Sequence, residues 1–405
     1  MLFAVWTGPG NDEQHIAVQP VSSREHRILV KGGAAPHFAS VGGTGVLTYH
    51  RLGELYAVPW KPGQLDLGRA VPVLAPEHIS SLGNEGVANY AVSSNGTLLY
   101  VPGGITHNAR RLVWVNRGAA IDQLPLPDRD YEGAVLAPDG KRAIVQIRDG
   151  QTALWLYDIA RGTLTQIGPN AGSSQAPVWT SDGTRVIYRS TQAGFRNLWW
   201  RLVDGGAEER LTNKPDVTQA ATDVSPDGKW VLVNENGPQE TGGVGIWMVG
   251  LTGAHEVRRL FSVGGGESDA HVSPDGKWVA FQVPVSSRSE IFVAPFPGPG
   301  PRKQVSIDGG VEPLWSRDGH ELFFQNGMSM MAASVTTGAS FSASIPRSVY
   351  QGRFPRTVNG NTTFAATNDG KRFLRYQQIE TERAITTLDV VLNWFLEMKP
   401  LMLGR

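Results

Sequence analysis

Carboxylates and a histidine recur at similar distances ahead of a repeated turn. Asp223, Asp269, His271 and Glu312 stand four to six residues before an Asp-Gly pair, in three consecutive copies of one short signature. Glu132, Gln175 and Gln219 stand at similar places in other copies. Polar side chains on a strand packed between sheets need water or a hydrogen-bond partner, because an unpaired buried polar group is costly. The structural reading is a solvated channel with a polar lining. The functional reading is a site for a small polar or peptide ligand at the channel mouth, built from all seven residues. His271 beside carboxylates has the chemistry to titrate near neutral pH.

Other chemistries lack their residues. A serine hydrolase elbow needs Gly-x-Ser-x-Gly on a strand-to-helix turn. Gly266-Glu267-Ser268-Asp269-Ala270 and Gly327-Met328-Ser329-Met330-Met331 both miss the final Gly. The nine histidines form no His-x-x-x-His or His-Glu-x-x-His pair, so zinc has no ligand set. His255-Glu256 precedes Val257-Arg258-Arg259 and reads as a strand edge. Asp-x-Asp-x-Asp spacing for calcium is absent. Gly42-Gly43-Thr44-Gly45 and Gly242-Gly243-Val244-Gly245 are turn glycines, since a phosphate loop must open a helix and none follows. No cysteine is present, so disulfides and thiolate chemistry are excluded. No cofactor or metal is expected, and the chain itself reads as non-enzymatic.

Composition narrows the class further. The 37 Lys and Arg residues balance 37 Asp and Glu, which excludes a basic nucleic-acid domain. Membrane insertion by this chain is not expected, because no apolar run approaches the roughly 20 residues of a spanning helix. Residues 1–6 are apolar but short, lack a basic flank and run into Gly8-Pro9-Gly10, so they do not read as a signal peptide. Gly (48) and Pro (26) in 405 residues over-supply turns.

Those turns are periodic. Ser93-Ser94-Asn95-Gly96, Ala137-Pro138-Asp139-Gly140, Thr180-Ser181-Asp182-Gly183 and Ser225-Pro226-Asp227-Gly228 open the series. Ser273-Pro274-Asp275-Gly276, Ser316-Arg317-Asp318-Gly319 and Thr367-Asn368-Asp369-Gly370 continue it, with a degenerate copy at 41–45. The position three before the turn residue is apolar in each clear copy, and a short apolar run follows the Gly. Two apolar segments around Asn-Gly or Asp-Gly make a hairpin. The Asp repeats with the fold, so its role reads as structural. A third and a fourth segment complete each copy, as in Leu154 to Tyr157 and Leu164 to Ile167. The runs are continuously apolar, which suits strands covered on both faces. Helical spacing survives only near 391–398.

Four short strands per unit of about 45 residues define a β-propeller blade. The expectation is an all-β propeller of four-stranded antiparallel blades, eight as first choice and seven as the alternative. The repeat units fall near 32–80, 81–127, 128–170, 171–214, 215–262, 263–306, 307–352 and 353–400. Strands in 1–31 would complete the last blade, so that N- and C-terminal strands close one ring spanning 1–405. Radial packing makes such a repeat array one cooperative domain.

Ser-Pro-Asp-Gly-Lys-Trp-Val at 225–231 and 273–279 resembles the PD40 repeat, the WD40-like repeat of the TolB family of propellers. Longer strings are similar to the extracytoplasmic propeller at the C-terminus of many bacterial eukaryotic-like serine/threonine kinases. They are Glu290-Ile291-Phe292-Val293-Ala294-Pro295-Phe296-Pro297, the run from Gly309 to Phe324, and Val391-Leu392-Asn393-Trp394. The resemblance covers about 2 to 400. The chain lacks the kinase strings His-Arg-Asp, Asp-Phe-Gly and Val-Ala-Ile-Lys, and Ala75-Pro76-Glu77 reads as a chance match.

The resemblance implies a protein- or peptide-binding scaffold, of the sensor type associated with a serine/threonine kinase that lies upstream or is a separate chain. It also implies an extracytoplasmic position, whereas the absence of a signal or spanning segment suggests the cytoplasm. The alternatives are a TolB-like periplasmic interaction propeller, and a lyase or hydrolase propeller with its active site at the channel mouth.

Overall fold

The computed structural model describes all residues except 7–13, 24, 42, 52–53, 65–66, 75–80, 83–86, 103–104, 107–108, 150, 169–171, 194–195, 216, 238–242, 262–265, 299, 355–362, 380–386 and 404–405. The motif at 75–77 and Gly42 and Gly242 therefore lie outside the described residues. The chain divides into two compact units. One comprises Met1–Asn108 and Glu380–Arg405, the other Ala109–Ile379.

The Ala109–Ile379 unit contains six sheets, numbered here as blades I to VI. Blade I runs Asp130–Leu136, Arg142–Asp149, Gln151–Asp158 and Thr163–Ile167 from its innermost strand outward. Blade II is Ser174–Trp179, Arg185–Ser190, Asn197–Leu202 and Glu209–Arg210. Blade III is Thr218–Val224, Trp230–Asn236, Gly245–Gly250 and Val257–Arg259. Blade IV is Ser268–Val272, Trp278–Val285, Arg288–Pro295 and Lys303–Gln304. Blade V begins Val311–Trp315, Glu321–Asn326 and Ser329–Thr337, and the last of these pairs with both Phe341–Ala343 and Arg347–Gln351.

Blade VI is assembled from both ends of the unit. Its inner strands, Phe364–Ala366 and Arg372–Gln378, pair with Arg110–Asn116, which carries Ile121–Gln123 outside it. Trp114 stands opposite Leu374 in that antiparallel register. Hydrophobic clusters then fill every seam. Ile144 and Leu154 of blade I meet Trp179 and Val186 of blade II. Phe364 and Phe373 of blade VI meet Phe323 and Met330 of blade V. Leu374 and Tyr376 meet Tyr131 and Val145 of blade I. The apolar runs are continuous because each sheet is covered on both faces.

The Asp-Gly turns are self-contained hydrogen-bonding units. The Ser225 hydroxyl donates to Asp227 Oδ1 at 2.6 Å, and that oxygen accepts the Lys229 N–H at 3.1 Å. The Trp230 N–H returns to Ser225 Oγ at 3.0 Å. Gly228 has φ of +70°, a conformation that favours glycine. The Thr180, Ser273, Ser316 and Thr367 copies repeat the pattern.

The Met1–Asn108 and Glu380–Arg405 unit is built differently. Leu2–Trp6 pairs with Gln14–Val18, which pairs with Arg27–Lys31. A four-stranded sheet follows as Ala34–Val41, Thr44–Arg51, Glu54–Pro59 and Val71–Leu74. The Asn95-Gly96 hairpin joins Tyr90–Val92 to Leu98–Tyr100, and Asp389–Val391 adds a third strand. The helix Trp394–Leu403 seals this unit, with Trp394 and Phe395 buried against Val46, Leu98 and Tyr100.

Six of the eight hairpins belong to the Ala109–Ile379 unit and two to the other. One expectation is corrected here. The strands within 1–31 do not complete the last blade. They pair among themselves, and residues 110–123 take that place. Turn chemistry is local and repeats in the copies that carry Ser or Thr, whereas strand partnership across the chain is set by which apolar faces meet.

Candidate functional site

The seven polar residues do not converge on one mouth. Glu132, Gln175, Gln219, Asp269 and Glu312 lie near the starts of their strands and bind neighbouring side chains. Asp223 and His271 lie nearer the Asp-Gly turns and line a cavity.

A backbone irregularity accounts for the first group. The ladder register shifts between Gln175 and Val178, between Ser268 and His271, and between Val311 and Leu314. Ala176, Asp269 and Glu312 take φ of +50°, +49° and +56° there. Such a bulge leaves an N–H outside the ladder. A side chain from the preceding blade or sheet takes each one. Gln146 Oε1 accepts from Ala176 N at 3.0 Å, Asn234 Oδ1 from Asp269 N at 3.0 Å, and Gln282 Oε1 from Glu312 N at 3.2 Å.

These acceptors belong to a series that the sequence analysis passed over. Gln146, Arg189, Asn234, Gln282 and Gln325 occupy the same position of the second strand in blades I to V, and Arg375 of blade VI lies one residue nearer its turn. Each is the first polar residue after the apolar run of its strand, which is the signal that marks it. Arg375 is 2% exposed and donates to Gln325 Oε1 at 2.8 Å and to the Tyr350 hydroxyl at 3.1 Å.

The strand-start residues use their polar groups within this framework. Glu132 pairs with Arg148 and accepts from the Thr152 hydroxyl at 2.7 Å. Gln175 accepts from Arg189 at 2.8 Å. Gln219 donates to Glu235 at 2.9 Å. Asp269 accepts from Asn234 Nδ2 at 3.0 Å, and Glu312 accepts from the Thr363 N–H at 2.9 Å. Burial pushes both of these carboxyls upward in pKa, opposed by those hydrogen bonds. Asp269 and Glu312 thus staple neighbouring blades, whereas the Glu132 bonds lie within blade I.

The cavity near the turns measures about 450 Å³ and takes residues from all six blades. Four positions before the turn Asp, its wall carries Val135, Val178, Asp223, His271, Leu314 and Ala365, in blade order. Polar groups thus occupy two neighbouring blades of an otherwise apolar wall. His271 Nδ1 stands 3.9 Å from Asp223 Oδ2. That oxygen accepts the Val272 N–H at 2.8 Å. The Trp315 indole donates to the His271 carbonyl at 2.9 Å and fixes the strand.

Burial drives the electrostatics. It lowers the His271 imidazole to about 4, so the ring is neutral at pH 7. It raises the Asp223 carboxyl to about 7, against hydrogen bonds from the Val272 and Val224 N–H groups and the charge of Arg317. Arg317 also lines the cavity. It stands at the position directly before the turn Asp, where the other five blades carry Pro, Ser or Asn. Among the described residues, no group of three or more His, Asp or Glu could hold a metal ion. No described helix is long and apolar enough to cross a membrane.

A propeller with a histidine and a carboxylate lining a cavity is the class that fold and site define. Its architecture is that of the TolB-like propellers. A TolB-like protein of Agrobacterium tumefaciens superposes with a TM-score of 0.53 at 15% identity, over 67% of this chain and 99% of that one. TolB from Acinetobacter baumannii gives 0.46 at 14% identity, over 85% and 79%. An uncharacterized protein of Agrobacterium fabrum is 29% identical over 208 residues, 47% of this chain and 67% of its own length. No family model matches the chain.

Proposed function

We propose that this chain is a non-enzymatic binding propeller, and that its ligand, a protein segment or a small molecule, seats at the Asp223–His271 cavity. The observation that carries the reading is the placement of these two polar groups at a repeat position that is apolar in the other four blades, away from the staples between blades. The TolB-like fold supports an interaction role. The strings at 290–297, 309–324 and 391–394 favour a sensor-type part beside a serine/threonine kinase.

The geometry argues against an acid–base relay. At 3.9 Å the imidazole and carboxylate do not share a hydrogen bond, and Asp223 Oδ2 already accepts a backbone N–H. The test is affinity capture from source-cell extract, with wild-type protein beside Asp223→Asn and His271→Gln. A ligand or partner held by wild type and lost by both variants supports the reading. Equal retention by all three overturns it. Turnover of peptide or oligosaccharide substrates that disappears in His271→Gln would install the enzyme alternative.

A further inference from the structure

Two positions of the blade repeat face the cavity in all six blades, and three residues depart from the repeat there. Four before the turn Asp, Asp223 and His271 replace an apolar residue. Directly before the turn Asp, Arg317 is the one charged residue. The three departures fall on consecutive blades, III, IV and V. Arg317 is exposed, faces Asp223 electrostatically, and forms no hydrogen bond or ion pair with a described residue. Its five counterparts hold the same turn without charge.

The charged and titratable groups of the cavity therefore lie on blades III to V, while Thr180, Ser181 and Asn368 add polar groups between apolar residues on blades II and VI. A guanidinium presents a planar fork of donors that matches a carboxylate. A neutral imidazole and the Asp223 carboxyl beside it can hydrogen-bond a hydroxyl or amide next to that carboxylate. Val135, Val178, Leu314 and Phe364 offer contact to an apolar body. About 450 Å³ is the size of a small-ligand pocket.

We propose that the cavity binds an amphipathic monocarboxylate, with its carboxylate on Arg317, a neighbouring hydrogen-bonding group on His271 and Asp223, and its apolar body against the opposite wall. The inference rests on the reading of this cavity as the binding site. A free 2-hydroxy acid and the C-terminal carboxylate of a short apolar peptide present the same chemistry. A second carboxylate on the ligand would face Asp223, so dicarboxylates bind more weakly.

Isothermal titration of the full chain tests this with three probes: 3-phenyllactate, N-acetyl-Leu-Phe with a free C-terminus, and its C-terminal amide. One free carboxylate binds, and Arg317→Gln weakens it roughly tenfold to a hundredfold, the range for a lost charge-assisted pair. Phenyllactate binding alone identifies a free acid as the source. Peptide binding that the amide lacks identifies a chain terminus. Arg317 is exposed, so the variant keeps the wild-type melting curve. Should it not fold, the comparison of free acid with amide on wild type gives the same reading. No binding of either acid, or equal binding by Arg317→Gln or by the amide, overturns the inference. If capture still depends on Asp223 and His271 in that case, the broader reading of the cavity stands and only the carboxylate assignment falls.

Discussion

His271 Nδ1 and Asp223 Oδ2 face one another at 3.9 Å across the seam between two neighbouring blades. Burial acts on the two groups in opposite directions. It holds the imidazole neutral and presses the carboxyl toward its protonated form, so both lean to the uncharged state.

Opposed pH slopes follow. Asp223 is raised in the folded state, so its contribution to stability is full below about 4 and declines as pH rises through about 7. His271 is lowered, so its contribution is full above about 6.5 and declines as pH falls through about 4. The two trends offset one another between these limits, with Arg317 as the other charge facing Asp223. Urea midpoints between pH 4.5 and 7.5 separate them. Asp223→Asn exposes loss of stability on acidification, and His271→Gln exposes loss on alkalinisation. Unchanged slopes in both variants would contradict this assignment.

The bulge staples have a measurable worth. Gln146→Ala removes the acceptor for the Ala176 N–H and leaves a buried donor unpaired. The expected loss is about 1–3 kcal/mol in denaturant unfolding. Gln146→Glu retains an acceptor, so it restores part of that loss at neutral pH. A Gln146→Ala protein as stable as wild type would mean that the bulge satisfies itself.

The turn aspartates act locally. The Thr180 hydroxyl and the Thr184 N–H hold the Asp182 carboxyl below its ordinary pKa. Asp182→Ala loses those bonds and costs about 1 kcal/mol, while the cavity keeps its ligand. Because the folded pKa is lowered, the contribution is present at neutral pH and declines as pH falls through that lowered value. Thermal melts at pH 7 and pH 3 should therefore differ more for wild type than for the variant.

Gly310 is demanded by packing. A Cβ there would lie 2.7 Å from Ile291 Cγ1 and 3.0 Å from both Phe324 Cδ2 and Ser306 Cβ. Gly310→Ala destabilises by about 1–3 kcal/mol through overpacking of the seam between blades IV and V. Gly327, with nothing near its Cβ position but a φ of +60°, reports backbone strain instead. Melting temperatures of Gly310→Ala and Gly327→Ala distinguish the two causes, since only the first should respond to a compensating Ile291→Val.

Local hydrogen bonding is legible residue by residue. Ser-x-Asp-Gly names a hydroxyl, a carboxylate and a positive-φ glycine within four positions, and these make one turn wherever they occur. The turns, the four-strand repeat, the apolar position before each turn and the helix near the C-terminus all followed from such short-range chemistry. The helix proved to run Trp394–Leu403 instead of starting near 391. Arg317 was also visible as the one charged residue in its column of the repeat, once the copies are aligned on the turn Asp.

Tertiary structure decided the rest. Asp269 and His271 are two residues apart, a spacing that puts side chains on one face of a regular strand. The register shift between Ser268 and His271 breaks that alternation, so one residue staples a seam and the other lines the cavity. The partnership of Arg110–Asn116 with Arg372–Gln378 is likewise absent from any local pattern, because every blade offers a similar apolar edge. Its pairing is held by the apolar faces of blades V and I that close on it. A turn is fixed by bonds within four residues, whereas strand order and the direction of a polar side chain are fixed by the surfaces that close around them.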